Sequence, residues 1–251
     1  MNGFYDIVNS KDILIAAHRG NLLNTPENTI IAFEKAVEAG VDMIELDVQF
    51  TKDNKIVVFH NDDLVINNNS VKLLDLNYDD IKNYKIYYNL ENGQQAYTAI
   101  PLLKDVLNIF KGKIYFIVEI KNFFNENSVK ILPELCDFII NNNLQNQLTI
   151  TSFDIKTISL IKKYNSSLLT AAIYIPNSNI LPSEYKYKTN CDAFICDIEE
   201  LSNEFVIDAK NNNMFIGVYG VNDKTLLDKA LNNNVKFIGT DVPNEIKCFL
   251  K

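Results

Sequence analysis

The 251-residue sequence is poor in several things at once, and each scarcity excludes a class of function. It has only two histidines, His18 and His60. Its four cysteines, Cys136, Cys191, Cys196 and Cys248, show neither CxxC spacing nor a paired framework, so reduced, buried thiols are expected rather than a disulfide scaffold or a zinc ribbon. Lysine and arginine total 24 against 32 acids, for a net charge of −8, and form no dense run. That removes the electrostatic footprint of a nucleic-acid binder and makes an anionic membrane a poor partner. No segment reaches the ~18 apolar residues of a membrane span. The first twenty residues lack the basic region, apolar core and small-residue cleavage site of a secretory leader, so a cytoplasmic protein without a stable membrane anchor is expected. A phosphorylated small molecule is still admissible, because a local cationic pocket or a metal can bind it whatever the global charge.

What is present is a globular composition, 47% apolar and 22% charged, in a chain long enough to bury roughly 70 to 75% of its unfolded surface. Short β-rich apolar runs recur: ILIAA (13–17), MIELDV (43–48), IVVFH (56–60), IYFIVEI (114–120), LTITSF (148–153), LLTAAIY (168–174), AFICDI (193–198), FIGVYGV (215–221) and FIGTDV (237–242). Between most of them lies an amphipathic stretch. In PENTIIAFEKAVEAG, Ile30, Phe33, Val37 and Val41 follow helical spacing, with Thr25 as the expected N-cap, Pro26 at the first helical position and Gly40 as the stop. Strand and helix in alternation imply a parallel sheet covered by helices.

Only QFTKDNK separates MIELDV from IVVFH, too little for a parallel crossover, so these two runs form a hairpin. Eight parallel strands are left, the number that closes a (β/α)8 TIM barrel in a chain of this length; an open doubly wound sheet is the alternative. The expected architecture is one domain over residues 1–251, with an extra hairpin strand after the second barrel strand and a small inserted lobe at about 61–100. A two-residue turn at Asp53-Asn54 would set His60 opposite Asp47, on the face that carries Glu45. The many asparagines are read as surface turn formers.

In such a barrel the active site lies at the C-terminal ends of the strands. Those ends carry His18 and Arg19, Glu45 and Asp47, Glu119 and Lys121, Ser152, and Asp241. Two acids inside an apolar strand are costly to bury as free charges. Glu45 and Asp47, completed by Glu119, suit one hard divalent ion, Ca2+ or Mg2+; structural ion pairs with Arg19 and Lys121 are the other possibility. His18 and His60 could take and give a proton at neutral pH, and Arg19 and Lys121 could donate to phosphate oxygens. The composite points to phosphodiester cleavage.

The ordered set HRG, PENT, AFEKAVEAGVDMIELDVQFTKDNKIVVFH, IPLLKDVL, FIVEIK, TSFD and GTDVPNE resembles the glycerophosphodiester phosphodiesterases. These are related to barrel phosphodiesterases of the phosphatidylinositol-specific phospholipase C type. The resemblance spans about residues 13–246. It implies hydrolysis of glycerophosphodiesters, such as glycerophosphocholine or glycerophosphoethanolamine, to sn-glycerol 3-phosphate and an alcohol. By position it implies that His18 and His60 are the acid/base pair, Glu45, Asp47 and Glu119 the metal ligands, and Arg19 and Lys121 the phosphate contacts. Ser152 and Tyr219 are expected to line the substrate pocket.

Three departures from the family pattern stand out. Asn61 precedes Asp62 where the family has aspartate directly after the histidine, which implies a weaker or displaced supporting hydrogen bond. LVINNNS replaces an arginine-threonine-threonine element, and VYGVN stands where the family has tryptophan, so Tyr219 becomes the apolar wall for glycerol. Two other functions are carried forward: a lysophospholipase D-type or cyclising activity on lysophospholipids, and non-catalytic phosphodiester binding.

Overall fold

The computed structural model describes residues 7, 8, 11, 13–90, 92–121 and 128–250. Residues 1–6, 9, 10 and 12 of the stretch on which the leader expectation rests, and residue 91, lie outside them. Eight strands, β1 (Leu14–Ala17), β2 (Met43–Phe50), β8 (Tyr115–Ile120), β9 (Leu148–Ser152), β10 (Thr170–Ile173), β11 (Ala193–Asp197), β12 (Phe215–Tyr219) and β13 (Phe237–Thr240), pair in parallel, and β1 pairs with both β13 and β2. The sheet is therefore a closed barrel. Helices α1 (Ile30–Glu38), α3 (Leu103–Phe110), α4 (Ser128–Asn141), α5 (Ile155–Tyr164), α6 (Pro182–Thr189), α7 (Asn203–Asn211), α8 (Lys224–Asn232) and α9 (Pro243–Phe249) follow the strands in turn.

Strands buried on both faces read as continuous apolar runs, and alternation sorts their side chains. On β8, Tyr115 and Ile117 face inward with Leu14, Met43, Ile173 and Phe237, whereas Phe116, Val118 and Ile120 belong to the larger cluster under the helices. Phe237 fits inside because β12 carries Gly217 beside it: a Cβ there would lie 2.0 Å from the Phe237 ring. Short polar side chains start the helices. Ser202 accepts from Phe205 N at 3.2 Å and Asp223 from Leu226 N at 2.8 Å. Asparagine ends several of them, since Asn143, Asn190, Asn213 and Asn234 all have φ between 52° and 58°, a left-handed position usually given to glycine.

Two local expectations are corrected. Helix α1 starts at Ile30 with Thr29 as N-cap, not at Pro26 after Thr25. The reason is Asn28, held at φ 57° with its N–H donating to Arg19 O at 2.9 Å; this leaves Pro26 to Asn28 in a loop, and Glu27 is not in the helix's first turn. Gly40 does end the helix, at φ 66°. The hairpin of β2 with β3 (Ile56–Val58) pairs Val48 with Val58 and Phe50 with Ile56, one residue off the expected register. Thr51 N donates to Lys55 O, and Asn54 takes the left-handed position at φ 60°, so the loop has three residues rather than two. Consequently Phe59 N donates to Asp47 O at 3.0 Å, and His60 lies one step beyond, past the end of β3.

The inserted lobe consists of two hairpins, β4 (Asp63–Ile66) with β5 (Asn69–Lys72) and β6 (Ile86–Asn89) with β7 (Gln95–Thr98), and the short helix α2 (Tyr78–Ile81) between them. Val57, Leu64, Leu73, Ile81 and Ile100 form its own apolar cluster. Cys136, Cys191, Cys196 and Cys248 are all free thiols; the first three are buried, Cys248 is exposed. Among the described residues no helix is long and apolar enough to cross a membrane.

Candidate active site

The alternation that fills the barrel with apolar side chains turns charged at its C-terminal rim. A cavity of about 200 Å3 opens there, lined by His18, Arg19, Glu45, Glu119, Lys121 and Tyr219 over an apolar floor that includes Ile117, Ile173, Ile195 and Phe237. One oxygen from each of Glu45, Asp47 and Glu119 lies within 4.8 Å of the others. Neighbouring registers explain this convergence, because Asp47 pairs with Glu119 across β2 and β8, and Glu45 is the preceding inward position.

Asp47 is fully buried and is the most tied of the three. It accepts from Asn28 Nδ2 at 2.8 Å, its own N–H donates to Asn28 Oδ1 at 3.1 Å, and Arg19 Nε and Lys121 Nζ lie 3.1 and 3.5 Å from its carboxylate. Lys121 also sits 2.7 Å from Glu119 Oε1, and Arg19 Nη1 3.0 Å from Glu27 Oε2. Arg19, the only arginine of the chain, is held at φ 56°. Gly20 follows at φ 95°, where a Cβ would meet Ala32 Cβ at 2.7 Å. The tight turn this glycine allows directs Arg19 N to Glu45 Oε2 at 3.0 Å.

The carboxylates exceed their counter-ions. Burial, then the Asp47 charge, push Glu45 up from 4.5 to about 8, against the opposing pull of His18. Glu119 is raised by burial and Asp47, with Lys121 opposing. Burial disfavours charge on Arg19 and Lys121, but their acidic neighbours outweigh it and raise both. Among the described residues no hydrogen-bond donor meets the buried Glu45 Oε1 or Asp47 Oδ1, the Lys121 ammonium lying 3.5 Å from the latter as an ion pair. Oxygen-only donors with unsatisfied lone pairs and surplus negative charge fit a hard divalent cation.

The two histidines flank these acids and have different partners. His18 Nδ1 lies 2.6 Å from Asp241 Oδ1, and its Nε2 3.9 Å from Glu45 Oε2. Asn222 Nδ2 donates to Asp241 Oδ2 at 2.8 Å, and Asn222 Oδ1 accepts from Asp241 N at 2.9 Å, fixing that carboxylate. Burial disfavours the His18 imidazolium, but the Asp241 hydrogen bond and the Glu45 charge more than offset it, so its pKa is raised above 6.5. His60 stands on the other side, in a recess it shares with Asp62, Glu119, Lys121 and Phe153, near enough for its charge to act on Glu119. Its Nδ1 lies 2.9 Å from Asn61 Oδ1, a neutral amide oxygen. Gln49 Nε2 donates to both His60 O and Asp62 Oδ1 at 3.0 Å, so the Asp62 carboxylate holds the glutamine that anchors the His60 backbone rather than the imidazole.

Ser152 lines the recess beside His60, with its hydroxyl donating to Ile120 O at 2.8 Å and accepting from Asp154 N at 3.1 Å. Its neighbour Thr151 faces the main cavity instead. Tyr219 lines the cavity wall, and burial with the charges of Asp197 and Glu200 pushes its phenol up to about 12, so it stays a neutral O–H. The sequence left Asn28 of PENT open between a structural and a site-supporting role, and its side chain bonds Asp47 directly; Asn222 and Gln49 were missed as supports. It counted Asp241 only as one more acid at a strand end.

This constellation, on a closed barrel, coincides with a family match: the model of the glycerophosphoryl diester phosphodiesterase family fits residues 18–245. The chain belongs to that family. Like its relatives it is a phosphoric diester hydrolase, which sets aside the non-catalytic reading. The glycerophosphodiester phosphodiesterase of Caldanaerobacter subterraneus subsp. tengcongensis is 32% identical over 170 residues, 64% of this chain and 66% of that protein. A lysophospholipase D of Homo sapiens is 32% identical over 183 residues, 70% of this chain and 48% of that protein. In fold, a phosphodiesterase of Oleispira antarctica, solved in complex with the product sn-glycerol-3-phosphate, matches with a TM-score of 0.78. That match covers 97% of this chain and 98% of the other, at 18% identity.

Proposed function

We propose that this phosphodiesterase hydrolyses glycerophosphodiesters of small alcohols, such as glycerophosphoethanolamine or glycerophosphocholine, to sn-glycerol 3-phosphate and the free alcohol. The observation that carries the reading is the convergence of Glu45, Asp47 and Glu119 within 4.8 Å at a cavity that also holds Arg19, Lys121 and His18. The three carboxylates would hold one divalent ion, Ca2+ or Mg2+. When bound, such an ion offsets charge that develops on phosphate oxygens. Arg19 and Lys121 donate to the same phosphate.

The histidines divide the proton work according to their partners. Asp241 orients His18 through Nδ1 and favours its imidazolium, which suits donation from Nε2 to the leaving alkoxide. His60, with a neutral amide oxygen at Nδ1, is suited to accept the proton of the attacking hydroxyl. Tyr219 and the aliphatic floor cover the carbon skeleton and exclude water.

The test is release of glycerol 3-phosphate from glycerophosphoethanolamine, followed with chelator and with Ca2+ or Mg2+ restored. Release that stops with chelator and returns with one ion supports the reading; release indifferent to chelator refutes the metal role, and no release with either ion refutes the substrate. A second reading, lysophospholipid hydrolysis, is favoured by the human relative. It requires turnover of lysophosphatidylcholine to exceed that of the water-soluble diesters.

A further inference from the structure

Among the described residues that line the cavity, Thr151 carries the one aliphatic hydroxyl, and no described residue hydrogen-bonds it. The residue is 1% exposed, and its Oγ1 has no hydrogen-bond partner. A buried polar group without a partner costs about as much as a lost hydrogen bond, and valine would fill the same volume without that cost. Thr149, the next inward residue on β9, also has an unpartnered hydroxyl, but only Thr151 lines the cavity.

Its depth is set by register. Thr151 pairs with Glu119 across β8 and β9, so its backbone lies two residues deeper than that of Lys121, whose ammonium reaches back to Glu119 Oε1 at 2.7 Å. The phosphate-binding candidates, Arg19 and Lys121, follow the ends of β1 and β8. The same cavity is lined by Ile117, Ile173, Ile195 and Phe237, which can cover C–H groups but satisfy no hydroxyl. The cavity volume of about 200 Å3 is roughly seven water volumes, enough for a three-carbon arm.

Building on the phosphodiesterase reading, we infer that Thr151 Oγ1 hydrogen-bonds the terminal hydroxyl of the buried glycerol arm, the hydroxyl farthest from phosphorus. Thr151 is then the residue that selects a triol-derived arm over a deoxy arm of equal length. A site built to pair a substrate hydroxyl rejects the analogue lacking it, because its own polar group is left alone.

The experiment compares two ethanolamine phosphodiesters, one with a glycerol arm and one with a propane-1,2-diol arm that lacks only the terminal hydroxyl. Wild-type kcat/KM is expected to favour glycerol about tenfold or more. Thr151→Val should lose that preference by slowing on the glycerol diester alone, and Thr151→Ser should keep it. Thermal melts show whether the variants fold. Wild-type turnover with a preference that survives in Thr151→Val overturns the assignment and leaves the phosphodiesterase reading standing. A wild-type enzyme that cleaves neither diester overturns both.

Discussion

Glu45 makes the metal-free protein less stable as pH rises, and the size of the effect follows from its burial. Unfolded, its carboxyl ionises near the ordinary 4.5; folded, burial and Asp47 hold it protonated up to about 8. Between those values the native state carries a proton that the unfolded state lacks, so unfolding free energy falls with increasing pH. The contribution is fully present below pH 4.5 and is lost as pH passes through about 8, amounting to at most about 5 kcal/mol. In a chain of this size that corresponds to about 10 °C in melting temperature. The assay is thermal unfolding in chelator from pH 5 to 8.5, with Glu45→Gln as reference, since a glutamine amide oxygen can still accept from Arg19 N. Wild type should lose melting temperature relative to Glu45→Gln across this range. Ca2+ or Mg2+ should reverse the trend in wild type, because the cation displaces the proton and binds more tightly at higher pH. Parallel pH profiles for the two proteins in chelator would refute the argument, showing that Arg19 and Lys121 already suffice to keep Glu45 ionised.

Other expectations follow from neighbouring contacts. His60→Ala should fold and bind the ion like wild type but lose at least about a hundredfold in kcat; unchanged turnover in a folded variant would remove it from the acid/base pair. Asn28→Ala strips Asp47 of a buried donor and acceptor and should cost about 1 to 3 kcal/mol in denaturant unfolding, and a smaller loss would mean that Arg19 and Lys121 alone hold Asp47. Asn222→Ala frees the Asp241 carboxylate and should lower kcat more than it raises KM. The chain has only two imidazoles, so 15N spectra of the ring nitrogens would show directly whether the His18 tautomer changes with it. Gly217→Ala should destabilise by about 1 to 3 kcal/mol by forcing the Phe237 ring aside; an unchanged melt would show that the ring can move freely.

The barrel was legible because parallel strands buried on both faces leave continuous apolar runs, and the hairpin because its connection is too short for a crossover. Its register was not. Lys52-Asp53-Asn54 reads equally well as a loop of two residues or of three, and only the left-handed Asn54 decides the count. His60 therefore reaches the rim from beyond the strand's end rather than from opposite Asp47. Glu45, Asp47 and Glu119 were legible because acids in apolar strands are conspicuous. The supports of His18 were not, since Asp241 is 223 positions away along the chain and an Asn222 at a strand's end looks like any turn former. Ser152 drew attention over Thr151 because it stands at the strand's end, although TSFD begins at Thr151; the parity of β9 puts Thr151 on the barrel cavity and Ser152 on the recess beside His60.

The two histidines are mounted on different parts of the molecule. His18 extends from the closed ring, where each strand's neighbours fix its height, while His60 hangs on the tether to the lobe, held by the side chain of Gln49. The site thus works like a vice with one jaw cast into the frame and the other bolted on. Altering the lobe or its single glutamine bolt would re-gauge the gap between the proton-handling groups, and with it the girth of alcohol that fits, while the carboxylate seat stays where the ring has put it.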